Sequence, residues 1–434
     1  VAAWVSGAGL GSSGLDGGFW VAVWSVLGGS LRSAVDGKAL VEGGREKVEG
    51  VFSGECSGES ARLAWVPMGD FLEMSVWEKI KKKAEAGERL SFEEGVTLFR
   101  DADLHQLGQL ADRVREKKVG KRASYVLNRY LNYSNVCILS CQFCAFARKK
   151  REPGTFELSV DEMMGEASKA VAAGATEIHI VGGLHPSLPY SFYLEMLKAL
   201  AGIQPKPMLK IFTAIEIRHL AERVAKKSIR EVLMDLRSAG LDSLTGGGAE
   251  IFAPEVRERI CKGKESAEEW LEVHRIWHGM GGRSTATMLY GHVETPEQRV
   301  NHLEKLRALQ DETGGFTGFI PFAFEPSQTR LAELGKIRRA SALEELRVIA
   351  ASRLILDNFD HVTAYWISTG LPLAQIALSY GADDLHGTIG EEKIFHMAGA
   401  QTPKGETRGN LERAIREAGR EPVQRDTFYE PVFK

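Results

Sequence analysis

The stretch VLNRYLNYSNVCILSCQFCAF, residues 126–146, carries an extended apolar run directly into three cysteines. Its first half, rich in Val, Leu and Tyr, reads as a strand. Cys137, Cys141 and Cys144 then fall within eight residues, although the 434-residue chain has only five cysteines. Such crowding needs a chemical reason. A structural zinc site takes four ligands, usually two C-x2-C pairs or a CCHH set. Here there is one C-x2-C pair, a third cysteine four residues before it, and no histidine within thirty residues on either side. Three thiolates on one short loop suit a [4Fe–4S] cluster with one iron left open for a small-molecule ligand.

Outward from that strand, short apolar runs alternate with helical patterns. TEIHIVGG, MLKIFTA, LDSLTGGGAE, STATMLYG, FTGFIPFAF, HVTAYWI and ADDLHG read as seven further strands with helices between them. Strict alternation of β and α in one long unit implies a parallel sheet with helices outside. Eight such units over about 270 residues fit an α/β fold of the (β/α)8 TIM-barrel type, for which ~250 residues is typical. An open doubly wound sheet is the alternative. Residues 75–122 read as a helical lead-in, with a turn at Ala86–Gly87, a capping-box pattern at Ser91 and Glu94, and a helix closed by Gly120. The barrel is assigned to 123–402, and 403–434 to a C-terminal helix and extended tail.

Residues 1–67 differ in character. They are rich in Gly and Ser, as in GLGSSGLDGG, lack sustained periodicity and end near Met68 and Met74. They are expected to be disordered, or a non-native extension translated from an upstream start. A small accessory element built on Trp4, Trp20 and Trp24 is the alternative. The longest apolar run here, FWVAVWSVL (19–27), falls far short of the ~20 residues a membrane span needs. The chain is 44% hydrophobic and 26% charged, with 55 basic and 58 acidic residues. A formal net charge of -3 gives no field pulling it onto nucleic acid or anionic membrane. Sparse cysteine use points to a reducing, cytoplasmic setting.

CILSCQFC resembles the signature of the radical S-adenosylmethionine (SAM) superfamily, C-x3-C-x-aromatic-C. IVGGLHPSLP, FTAIEI, LTGGGAEIF, TATMLYGHVET and the long run from AYWISTG to FHMAGA are similar to the aminodeoxyfutalosine synthase family, from about Val76 to about Thr402. The dehypoxanthine futalosine cyclase family shares GGLHP, GGGAEI and TATM, while FTAIEI and MLYGH favour the synthase. Deazaflavin-precursor synthases are a more distant sibling. The resemblance implies that Cys137, Cys141 and Cys144 hold a [4Fe–4S] cluster whose open iron binds SAM. It further implies that SAM is cleaved to a 5′-deoxyadenosyl radical. That radical adds to the double bond of 3-[(1-carboxyvinyl)oxy]benzoate to give 6-amino-6-deoxyfutalosine in menaquinone biosynthesis. SAM is then a co-substrate, and a flavodoxin or ferredoxin is the implied transient electron donor. No nucleic acid or membrane partner is expected. A zinc-stabilised barrel that binds a nucleoside without catalysis is the rival of another class.

The same resemblance places cofactor contacts at Phe143, Gly182, Gly183, Thr213 and Glu216. Gly182 and Gly183 follow a strand and allow close backbone approach to a ligand at the barrel's C-terminal rim, or they form a plain turn. Leu184 stands where the superfamily often has Glu, so only backbone contacts carry over. Glu216 is positioned to accept hydrogen bonds from SAM, or is a helix-start carboxylate. His185 and His292 are the candidate catalytic groups, each with a loop-structural alternative. The glycines of TGGGAE (245–250) are read as room for adenine or substrate. RKKR (148–151) reads as a solvated loop, with docking of an acidic electron donor as the alternative. Arg275 and Arg330 are among the arginines able to clamp substrate carboxylates.

Overall fold

The computed structural model describes the backbone of residues 37–42 and 45–50 and the chain from 75 to 432. The chain divides into two compact units, 1–72 and 73–434. In the first, β1 (Gly37–Glu42) and β2 (Arg45–Gly50) pair as an antiparallel hairpin. The expectation for residues 1–67 otherwise lies outside the described residues.

The lead-in of the second unit is three helices, Val76–Ala86, Phe92–Arg100 and Leu104–Val119. Their ends lie where the local chemistry sets them. Gly87 stops the first in the left-handed conformation (φ 75°), which costs a residue without Cβ little. Ser91 and Glu94 form a reciprocal capping box at the start of the second. Gly120 ends the third.

The first barrel strand is broken at Leu127 into β3 (Arg122–Val126) and β4 (Asn128–Leu131). With β4, a six-stranded parallel sheet runs in chain order through β5 (Glu177–Ile180), β6 (Met208–Ile211), β7 (Ser243–Leu244), β8 (Arg283–Tyr290) and β9 (Phe316–Ala323). The seventh position is only two residues wide: Val362 bridges Phe319 and Thr363 bridges Asp384, both parallel. Beyond Thr363 the expected strand HVTAYWI gives way to a short helix, Trp366–Thr369, whose Trp366 indole donates to the Gly387 carbonyl at 2.9 Å. The eighth position, β10 (Asp384–Gly387), pairs parallel with β3 and closes the ring. The α/β barrel is therefore present, with its seventh stave reduced to bridges.

Strand alternation sets the interior. In β5, Ile178 and Ile180 are fully buried on the helix side, so Glu177 and His179 share the lumen face. In β6, Leu209 and Ile211 do the same, and Lys210 pairs with His179 across the strands. The lumen is thus polar where the outer layer is apolar.

The C-terminal segment is more than the expected helix and tail. After the helix Arg408–Glu417, β11 (Glu421–Gln424) pairs parallel with β3 at the end of the barrel away from the cysteines. Just beyond it, Arg425 donates two hydrogen bonds to the buried carboxylate of Asp384, at 2.6 and 3.1 Å. The Tyr429 ring lies 3.9 Å from the Arg425 guanidinium and stacks on His361 at 4.1 Å. Gly318 leaves room for the Tyr429 hydroxyl, which a Cβ there would approach to 2.7 Å. Removing one member of a buried ion pair strands the other charge, at a cost of about 3–5 kcal/mol. Arg425→Leu is therefore expected to lower unfolding stability by about that amount in denaturant titration. An unchanged midpoint would show that the tail does not hold the barrel's lower end.

Candidate active site

The chain leaves β4 at the C-terminal rim and forms the cysteine loop there. The loop is fastened on all sides by backbone. Cys137 N–H donates to Arg148 O (2.9 Å), Ile138 N–H to Leu184 O (3.0 Å) and Gln142 N–H to Ile260 O (2.7 Å). Lys149 closes it: its ammonium donates to the carbonyls of Cys137, Ile138 and Leu139 at 3.1, 3.0 and 2.8 Å. Arg148 does the same for Ala145 and Ala147, at 2.7 and 2.9 Å. Half of the basic run 148–151 thus fastens the loop, while Lys149, Lys150 and Arg151 remain exposed as a solvated loop would have them.

All three cysteines are half-buried and line one cavity in the mouth of the barrel. Burial pushes the Cys141 and Cys144 thiols up, and the N–H groups of Ala147 and Phe146 partly offset this at Cys144. Free thiols here stay protonated, so binding iron would displace their protons. Among the described residues, no group of three His, Cys, Asp or Glu side chains is gathered to hold a single metal ion. Three spaced thiols, with two N–H groups directed at the sulfur of Cys144, fit a polynuclear iron–sulfur cluster, in which each thiolate takes its own iron.

Gly182 and Gly183 also line the cavity, and their lack of side chains has a reason inside the protein. A Cβ on Gly183 would overlap the Val136 carbonyl, and one on Gly182 would overlap the Tyr133 ring. The glycines let the cysteine loop cross the end of β5. Beside them lies Glu216, 2% exposed. Its Oε1 accepts from Tyr133 Oη (2.8 Å) and Gly182 N–H (3.0 Å). Its Oε2 accepts from Thr213 N–H and Thr213 Oγ1, both at 2.8 Å. Four donors fill the carboxylate's acceptor sites. Glu216 is thus the helix-start carboxylate of a capping box on Thr213, and it fixes the rim rather than offering free acceptors to SAM. Thr213 and Glu216 nonetheless both border the cavity.

The TGGGAE run is packed in the same way. A Cβ on Gly246 would come within 2.6 Å of Thr285 O, one on Gly247 within 2.9 Å of Thr213 Cγ2, and one on Gly248 within 2.7 Å of Glu265 Oε1. Buried Glu250 closes the run at φ 43° and pairs with Lys264. The Lys264 ammonium lies 5.6 Å from the centre of the Phe143 ring, so the aromatic residue of the cysteine signature rests on this pair at the cavity wall.

The two candidate catalytic histidines do not border the cavity. His185 is buried, and its Nδ1 accepts from Ser187 N–H (3.2 Å) and Leu188 N–H (2.9 Å), while Nε2 faces Glu157 at 3.3 Å. It shapes the loop after the glycine pair. His292 lies between Glu294 (Nδ1 to Oε2, 2.9 Å) and the Leu289 carbonyl (Nε2, 3.0 Å), in the turn after β8. Proline after His185 and the Glu two residues after His292 favour such local closure, and both side chains are consumed by it. Arg275 is likewise spent, on Glu272 and Glu312 at the surface. The cavity instead presents Tyr130, His179, His386 and Tyr365, none of them singled out in the sequence. Their signal was a polar residue at the lumen face of short strands, NRYL, EIHI and DLHG.

The chain matches the model of the Radical SAM superfamily over residues 131–306 and that of the CofH/MqnC C-terminal region over 313–433. It is 46% identical over 354 residues to an aminodeoxyfutalosine synthase of Thermus thermophilus, covering 81% of this chain and 95% of that one. A Streptomyces coelicolor enzyme of the same name is 42% identical over 361 residues, covering 81% and 93%. The cyclic dehypoxanthine futalosine synthase of that organism is 39% identical over 357 residues, covering 81% and 88%. The fold matches that of methylornithine synthase (PylB), with a TM-score of 0.63 at 18% identity over 80% of this chain and 97% of that one. These matches set aside a non-catalytic zinc barrel. With three cysteines on a fastened loop at the rim, they make the chain a radical SAM enzyme, using a [4Fe–4S] cluster and SAM, of the family that contains the aminodeoxyfutalosine synthases.

Proposed function

We propose that this enzyme joins the 5′-deoxyadenosyl group to the enolpyruvyl double bond of 3-[(1-carboxyvinyl)oxy]benzoate, forming 6-amino-6-deoxyfutalosine for menaquinone biosynthesis. The observation that carries the reading is the 46% identity to a synthase spanning 95% of that relative, against 39% for the cyclase relative. Cys137, Cys141 and Cys144 would hold the cluster, which with SAM supplies the 5′-deoxyadenosyl radical. SAM is then consumed as a substrate. Rearrangement and loss of the carboxyl carbon follow the addition.

The chain's own part is placement. The glycines at 182–183 and 246–248 bring backbone, not side chains, to the cavity wall. Leu289, Ile320, Phe322 and Phe324 give that wall an apolar lining that excludes water from a radical. Holding the olefin against the nascent radical is a proximity effect. Thr213, Gly182 and Phe143 border the space assigned to SAM, and Glu216 acts on it through Gly182 and Thr213. Among the described residues no helix is long and apolar enough to cross a membrane. Sparse cysteine use and a cluster that must be reduced support a cytoplasmic enzyme served by a flavodoxin or ferredoxin.

Anaerobically reconstituted enzyme with reductant, SAM and the enol ether is expected to yield an adenosyl adduct detectable by mass spectrometry. Free 5′-deoxyadenosine with no adduct would move the assignment to the cyclase-type hydrogen abstraction. A second test addresses the loop. Gly183→Ala forces the Val136 carbonyl away and is expected to cut iron bound per chain at least threefold after reconstitution, with circular dichroism unchanged. Wild-type iron content in that variant would refute the crossing constraint. His292→Gln is expected to lower thermal stability while leaving KM for SAM within about twofold, since the imidazole serves the turn. A loss of SAM affinity would return it to the site.

A further inference from the structure

Deep in the cavity, below the cysteine loop, the lumen has a polar floor that radical formation does not use. The Tyr130 and His179 rings stack at 4.2 Å and 14°. His386 Nε2 lies 3.1 Å from Tyr130 Oη. All three residues border the cavity, and Nδ1 of His179 and Nδ1 of His386 are both buried without a hydrogen-bond partner. An unpaired buried polar atom costs about 1–3 kcal/mol, so two on one wall call for a ligand that pairs them. His386 is only 2% exposed and sits at φ 64°, a strained backbone for a residue with a Cβ. Asp384 Oδ1 holds it there by accepting its N–H at 2.8 Å. Strain concentrated on one aimed side chain marks a site.

On the adjoining strand is Lys210, the cross-strand neighbour of His179, 2% exposed and outside the cavity lining. Among the described residues its ammonium makes no hydrogen bond or ion pair; burial pushes its pKa down, and the more distant charges of Glu177 and Asp384 oppose that. The nearby carboxylates are committed elsewhere, Glu177 to Asn128 and Thr427, Asp384 to Arg425. Burial, followed by the Lys210 charge, pushes His179 down to about 3 and His386 well below the ordinary imidazole value, so both rings are neutral. The contact between Tyr130 Oη and His386 Nε2 serves either tautomer of the ring, and the tautomer protonated on Nδ1 is the one that can donate to a carboxylate. Tyr130, Tyr365 and Phe322 supply aromatic surface in the same cavity.

We infer that this floor binds the carboxylate of an aromatic acid, with His179 and His386 lining the subsite and the Lys210 charge acting through them from outside the cavity wall. The inference rests on the proposed function for its placement: the unreactive benzoate end lies on the floor and the olefin toward the cysteines. The test is calorimetry of the anaerobically reconstituted enzyme with SAM, titrated with 3-methoxybenzoate and with its neutral isostere 3-methoxybenzamide. The acid is expected to bind at least tenfold more tightly. Lys210→Met keeps the chain's length and His179→Phe keeps the stack on Tyr130. Each is expected to weaken the acid at least tenfold and leave the amide unchanged. Equal wild-type affinities for acid and amide would overturn the inference, whether or not the variants fold. Retention of the preference in both variants, with wild-type circular dichroism and cluster absorbance, would overturn it too. Adduct formation from the enol ether is scored separately in the wild type. Its absence with the acid preference intact removes the proposed reaction and leaves the subsite, and the reverse result removes the subsite alone.

Discussion

The carboxylate of Glu216 takes four hydrogen bonds, and they arrive from the ends of three consecutive strands. Tyr133 follows β4, Gly182 follows β5 and Thr213 follows β6. Burial pushes this acid's pKa up, and the donors offset part of that rise. Removing the carboxylate would leave several buried donors unpaired, each at about 1–3 kcal/mol, so the set acts as a unit. That unit fixes the rim on which everything else hangs. Tyr133 leads directly into Ser134, whose carbonyl accepts from Gly183 N–H at 2.9 Å, and the cysteine loop begins two residues later.

Small residues extend this constraint around the mouth. Glycine is required at 183 because another chain segment occupies the place of its Cβ, and the same holds at 246. Ligand width is the by-product: once two loops pack backbone to backbone, the wall facing the cavity has few side chains left to fill it. A glycine run at a barrel rim can therefore serve ligand binding without touching the ligand, by letting the loops above close on one another.

What sequence made legible was whatever is decided locally. Cysteine spacing lies in one loop, a capping box needs four residues, and strand alternation is visible in each segment by itself. Ser91 with Glu94 and Gly87 accordingly stand where expected. What escaped was decided between distant segments. The tail after the last helix reads only as extended, yet Arg425 meets Asp384 past β3, and β11 forms because β3 has an open edge there. His185 and His292 looked chemical because they follow strand ends, but their neighbours consume them. His179 and His386 looked like ordinary strand residues. Only the closure of the ring brings them to one wall.

The rim and the floor therefore answer to different demands. Fastening of the cysteine loop relies on backbone groups, with Arg148 and Lys149 binding carbonyls, so it tolerates change in the side chains it spans. The floor relies on side chains at alternate positions of short strands, where one substitution changes charge or shape without disturbing the ladder. Relatives named for different reactions align with this chain over most of its length. A scaffold of this kind keeps one way of making a radical and varies what the radical meets. In this chain the choice of reaction partner is thus sought in the lumen-facing residues of β4, β5, β6 and β10, below the glycines and away from the cysteines.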